Sequence, residues 1–173
     1  KGSVVLPEGL KYIGVGAFGG LYDDSHNSSY TLTLPHSLTV IGTEAFGESG
    51  VSGTLIIPNT VTIIEENAFY ECKKLTNLIF EKGSQLDSIK NRAFYYGGFT
   101  NKLVIPNTVK YIGEAAFRYC SLSGLEFEDT DTSPSQLKYI GYRAFEDCNK
   151  TSGDLILPNS LDTISDRAFD YTR

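Results

Sequence analysis

The sequence has no Met, no Trp, two His and three Cys, and no apolar run near the roughly 20 residues that a membrane-spanning helix needs. Without Met even at the first position, it reads as a processed chain or an excised fragment, and no signal-peptide pattern opens it. Positive charge is also scarce: Lys and Arg total 15 against 21 Asp and Glu, giving a net charge of −6. That balance argues against nucleic acid, whose phosphates require a basic face, and less strongly against an anionic membrane surface. Hydrophobic residues make up 40% and charged ones 21%, a composition that folds rather than staying disordered. A chain of 173 residues fits one domain or a short array of repeats.

Self-similarity decides between these. Ala-Phe recurs at Phe18, Phe46, Phe69, Phe94, Phe117, Phe145 and Phe169, at intervals of 28, 23, 25, 23, 28 and 24 residues. An Ile stands five residues before every one of these rings: Ile13, Ile41, Ile64, Ile89, Ile112, Ile140 and Ile164. Eleven residues before the ring stands Pro7, Pro35, Pro58, Pro106 or Pro158, each preceded by an aliphatic run such as Leu32-Thr33-Leu34. Glu81 and Glu128 replace the Pro in the fourth and sixth copies, after Phe80 and Phe127. Seven registered copies predict a solenoid of repeats of 23–28 residues, in which each coil buries its neighbour's apolar face. The alternating run reads as a strand with its first and third residues inward, closed by a Pro that cannot donate to a ladder. Length varies mainly after Ala-Phe, which places loops there. At about 4.8 Å per strand, seven coils stack to roughly 30 Å. Gly14, Gly42, Gly113 and Gly141 follow the Ile, but Glu65, Lys90 and Ser165 do so elsewhere, so no positive φ is required at that place.

The unit running from Leu55-Ile56-Ile57-Pro58-Asn59-Thr60-Val61 through Ile64 to Ala68-Phe69-Tyr70-Glu71-Cys72 resembles the BspA-like, or Treponema-type, leucine-rich repeat. The resemblance covers essentially the whole chain. It implies one α/β solenoid domain over residues 1–173, a right-handed coil with short parallel strands on one face and short helical turns or irregular structure on the other. It further implies a cell-surface or secreted protein of a host-associated bacterium, adhesin-like, with no catalytic residues and no cofactor.

The residues themselves show no catalytic constellation. His26 and His36 share no register with a nucleophile or carboxylate that could complete a triad. Gly14-Val15-Gly16 belongs to the repeat and lacks the Lys-Ser/Thr of a phosphate loop. Cys72, Cys120 and Cys148 all lie three residues after a repeat Phe, which makes them fillers of one interior column. A disulfide between Cys120 and Cys148 is the alternative for neighbouring coils, and zinc lacks a second ligand at suitable spacing. Asp23-Asp24 and Glu128-Asp129-Thr130-Asp131 read as solvated acidic loops, with Ca²⁺ as the alternative. Asn27-Ser28-Ser29 and Asn149-Lys150-Thr151 match the glycosylation sequon, a pattern common by chance.

The informative column is the middle residue of each strand, which must point outward: Val5, Thr33, Ile56, Ile79, Val104, Glu126 and Ile156. Five are β-branched aliphatics, and the column two residues earlier is polar, as at the border of a protein-binding face. Strand propensity alone also favours Val, Ile and Thr at exposed positions. Ile56, Ile79 and Val104 fall in successive copies and would form one patch that docks a partner protein or a second copy of the chain. Tyr12, Tyr111 and Tyr139 precede the repeat Ile and are expected on the side away from this face. The expectation is a protein-binding module that contacts a host or cell-surface protein through the strand face, with a structural spacer as the alternative. Neither end carries a polar cap, so the array is expected to continue beyond one or both ends, and apolar ends also allow end-to-end self-association.

Overall fold

The computed structural model describes residues 2–20, 29–148 and 154–172. Each coil contributes up to two strands. The longer ones are β1 (Gly2–Val5), β3 (Tyr30–Thr33), β5 (Gly53–Ile57), β7 (Leu75–Phe80), β9 (Lys102–Ile105) and β11 (Gly124–Phe127). Two-residue strands end on the repeat Ile: β2 (Tyr12–Ile13), β4 (Val40–Ile41), β6 (Ile63–Ile64), β8 (Ser88–Ile89), β10 (Tyr111–Ile112), β12 (Tyr139–Ile140) and β13 (Thr163–Ile164). These short strands form one seven-stranded parallel sheet in chain order, with Ile opposite Ile throughout. The longer strands pair in twos, β1 with β3, β5 with β7 and β9 with β11. Two parallel columns therefore replace the single strand face expected from the sequence.

Among the described residues there is no helix, so of the helical turns or irregular structure expected beside the strands the helical turns are not found. The Ala-Phe segment instead alternates its hydrogen bonds. In the second coil the amides of Glu44, Phe46 and Glu48 donate to the carbonyls of Glu66, Ala68 and Tyr70 in the third. The intervening amides of Ala45, Gly47 and Ser49 close turns onto Gly42, Glu44 and Phe46. The same alternation recurs between later coils, for example Asn67, Phe69 and Glu71 onto Asn91, Ala93 and Tyr95. A helix would bind every amide within its own segment, so a chain that sends alternate amides to its neighbour cannot be helical. The geometry demands left-handed backbone two residues before and two after each Phe. Gly16 and Gly20 supply it in the first coil, and twelve non-glycine residues hold φ between 51° and 62°, from Glu44 and Glu48 to Arg167 and Tyr171. Such backbone costs on the order of 1 kcal/mol or more per residue and persists where neighbours enforce it.

The core is a column of rings. Phe18, Phe46, Phe69, Phe94, Phe117, Phe145 and Phe169 stack in sequence with centroids 5.0–5.4 Å apart and planes within 13° of parallel. Aromatic pairs in this offset range gain beyond their buried area. Beside them lie the Ile column, buried in every coil but the last, where Ile164 is exposed, and the buried inward strand residues such as Leu55, Leu78 and Leu103. Ala45, Ala68, Ala93, Ala116 and Ala144 are fully buried, whereas Ala17 in the first coil is exposed. The glycine after the repeat Ile serves close approach rather than a positive φ. A Cβ on Gly141 would lie 2.5–2.7 Å from backbone atoms of Gly113 and Glu114.

Candidate functional site: the strand face and its border

All seven outward residues are solvent-exposed, which places the column as the alternation requires. Val5 pairs with Thr33, Ile56 with Ile79, and Val104 with Glu126, each opposite the other in register. Ile156 departs from the expectation. It is 79% exposed, but Leu155-Ile156-Leu157 form no strand. A cleft of about 700 Å³ lies between β11 and Asp154 with Ile156. Glu126 is not a free carboxylate, because Lys102 on the adjoining strand pairs with it.

The apolar patch is therefore Ile56, Ile79 and Val104, which keep 46%, 46% and 36% of their surface exposed. Their strands are fixed from below by Leu55, Ile57, Leu78, Leu103 and Ile105, all buried. The polar border binds itself: Asn77 Nδ2 donates to Thr54 Oγ1 at 3.1 Å, next to the Lys102–Glu126 pair. Between β7 and β9, Asn101 takes the place of a backbone partner. Its Oδ1 accepts the Leu78 amide at 3.1 Å and its Nδ2 donates to the Leu78 carbonyl at 3.0 Å. The side chain thus joins the two strands that carry Ile79 and Val104, a role that sequence position did not reveal.

Glu81 and Glu128 also do more than substitute for Pro. Each has an amide that Pro lacks, donated to Ile57 and Ile105 respectively, and each carboxylate accepts an amide of the preceding coil, from Asn59 at 3.1 Å and Asn107 at 3.2 Å. His36 Nε2 lies 3.1 Å from Glu81 Oε1 on the exposed surface, and the adjacent Ser37 hydroxyl donates to the Leu10 carbonyl. Asp129 accepts the Ser135 amide at 3.0 Å. Among the described residues no three His, Cys, Asp or Glu converge as metal ligands. His26, Asp23-Asp24 and the Asn of both sequons lie outside the described residues.

The three cysteines are buried and none is in a disulfide. They are donors as well as fillers: Cys72, Cys120 and Cys148 Sγ donate to the Phe46, Phe94 and Phe117 carbonyls of the preceding coil at 3.1–3.2 Å. Thr172 Oγ1 does the same to Phe145 at 2.7 Å. Burial pushes the Cys72 and Cys148 thiols up to about 12 and Cys120 well above the usual range. Gly97 stands in that column because the Phe99 ring fills its place, 2.2 Å from where a Cβ would sit. Tyr12, Tyr111 and Tyr139 lie in the two-residue strands rather than on the strand face, and Tyr111 stacks on Tyr139 at 5.1 Å.

The repeat geometry is matched by a family model described as the BspA type leucine rich repeat region, over residues 2–123 and 130–173 in six copies. The chain belongs to this family. The model counts six copies where the Ala-Phe register gives seven. Of solved structures, the pneumococcal vaccine antigen PcpA is similar at 22% identity and a TM-score of 0.61, over 92% of this chain and 51% of that one. A leucine rich cell surface protein from Faecalibacterium prausnitzii A2-165 is similar at 24% identity and a TM-score of 0.51, over 97% and 50%. At these identities the likeness is one of fold, and the chain spans about half the length of each. A comparison with curated proteins gave no match. Among the described residues no helix is long and apolar enough to cross a membrane.

Proposed function

We propose that this BspA-type repeat chain is a single protein-binding domain, non-enzymatic and adhesin-like, displayed at a cell surface or secreted, which docks a host or cell-surface protein on Ile56, Ile79 and Val104. The observation that carries this reading is the patch itself: three aliphatic side chains of successive coils stay exposed on rigid strands while the polar residues beside them are already paired. Apolar centres with a satisfied polar rim are the anatomy of protein interfaces. The surface location draws support from the F. prausnitzii neighbour, which is described as a cell surface protein. The second reading is a spacer that presents other domains and has no ligand.

The test is the triple variant Ile56→Lys, Ile79→Lys, Val104→Lys, compared with the native chain for retention on immobilised extracellular-matrix proteins and for oligomeric state by sedimentation. Docking predicts that retention, or self-association if the partner is a second copy, is lost in the variant. A native chain that is retained by nothing and is monomeric supports the spacer, and unchanged binding in the variant rejects the patch.

A further inference from the structure

A second surface lies on the turn ladder, away from the strand face. Residues one place after the first six spine Phe form a column there: Gly19, Gly47, Tyr70, Tyr95, Arg118 and Glu146 in successive coils. Tyr70 and Tyr95 stack with centroids 5.1 Å apart and planes 4° from parallel. The stack stops at Tyr70 because the two coils before it carry glycine. With coils repeating at about 5 Å, two glycines in line leave a notch about 10 Å long beside the second face of the ring. The cavity there is about 500 Å³, within the range of small-ligand sites, and its lining includes Gly19, Gly47, Glu44, Glu48, Asn67, Tyr70 and Arg92.

The end wall is held rigidly. Tyr95 backs the Tyr70 ring, and the Tyr70 hydroxyl donates to Glu71, whose carboxylate pairs with Lys73 at 2.7 Å. Burial, with the Glu71 bond and charge, pushes the Tyr70 hydroxyl up to about 12, so the ring stays neutral.

The chemistry narrows the occupant. The carboxylates of Glu44 and Glu48 repel phosphates and other anions, while Arg92 is turned to Glu114 at 3.6 Å. The Tyr70 ring and the acidic rim together suit a molecule with a flat, weakly electropositive C–H face for the aromatic π-cloud and several donors for the carboxylates. A pyranose has both. We propose that this notch is a carbohydrate site, in which one pyranose stacks on Tyr70 over Gly47 and donates hydroxyls to Glu44 and Glu48. The site is separate from the Ile56, Ile79 and Val104 patch, so either assignment can fail alone.

Gly47 provides a clean test. A Cβ there meets no atom closer than 3.4 Å, and its φ is not in the left-handed region, so Gly47→Tyr extends the Tyr70–Tyr95 stack into the notch without strain. Saturation-transfer NMR is run on the full chain with the methyl glycosides of glucose, galactose, mannose and N-acetylglucosamine, and with adenosine and tyrosinamide as non-sugar rings. At least one glycoside is expected to receive saturation on its ring C–H protons, with the signal lost in Gly47→Tyr and Tyr70→Ala and kept in Tyr70→Phe. The proposal is overturned if no glycoside responds, if the response survives Gly47→Tyr, or if adenosine or tyrosinamide responds in place of the sugars. Should Gly47→Tyr not fold, the contrast between Tyr70→Ala and Tyr70→Phe decides.

Discussion

Truncation of the central ring, Phe94→Ala, probes the spine most sharply when set against the same change at its end. Phe94 is fully buried, stacked on Phe69 at 5.4 Å and Phe117 at 5.2 Å, with Phe99 edge-on at 5.8 Å. Removing a buried Phe costs about 3–5 kcal/mol in transfer and cavity terms. Phe18 is only partly buried and has one stacked neighbour, Phe46 at 5.0 Å, so its loss should cost about 1–2 kcal/mol. With a urea slope of about 2 kcal/mol per molar, Phe94→Ala lowers the unfolding midpoint by about 2 M and Phe18→Ala by less than 1 M. Because each coil contacts only its neighbours, the central lesion should also uncouple the two halves and broaden the transition. Urea titrations followed by far-ultraviolet circular dichroism measure both effects. Equal midpoint shifts for the two variants, or a shift under about 0.5 M for Phe94→Ala, would falsify the continuous spine.

Three further outcomes follow from particular contacts. Cys72, Cys120 and Cys148 should resist a disulfide reagent at pH 8 in the native state and all react in denaturant; a native thiol that reacts at the rate of an exposed one contradicts their placement. The folded chain keeps those thiols protonated while the unfolded chain ionises them near pH 9, so stability should fall as pH rises above that value, and less steeply in a Cys72→Ser variant, which keeps a γ donor. Gly141→Ala should destabilise by about 1–3 kcal/mol, since the new methyl meets backbone that cannot move aside; a neutral melting-temperature change would show that the coils are looser than described.

The spine was legible because a repeat exposes its register directly: Phe, Ile and Ala recur at fixed offsets, and residues at like positions must stack. Strand alternation likewise placed Ile56, Ile79 and Val104 outward. The turn ladder was not legible. Its left-handed positions hold Glu44, Asn67, Arg92, Ala115 and Tyr119, which share no chemistry, because backbone bonds between coils rather than side chains select the conformation. The column of Ser49, Cys72, Cys120, Cys148 and Thr172 did contain a signal, a donor on every γ atom, that a volume-filling argument passed over. Asn101 and the Glu81–Asn59 contact depend on which coil lies next door at side-chain reach, a three-dimensional fact. Ile156 shows the opposite failure, since its alternating local pattern points it outward but forms no strand.

Residue-resolved amide hydrogen exchange tests most directly whether adjacent coils are bonded through their turns. The amides of Phe46, Phe69, Phe94 and Phe117 donate to Ala68, Ala93, Ala116 and Ala144 of the following coil at 2.7–2.8 Å. They should exchange only with global unfolding, as slowly as the Ile amides of the seven-stranded sheet. Exchange of these four amides on the timescale of solvent-exposed turns would mean that no such ladder exists.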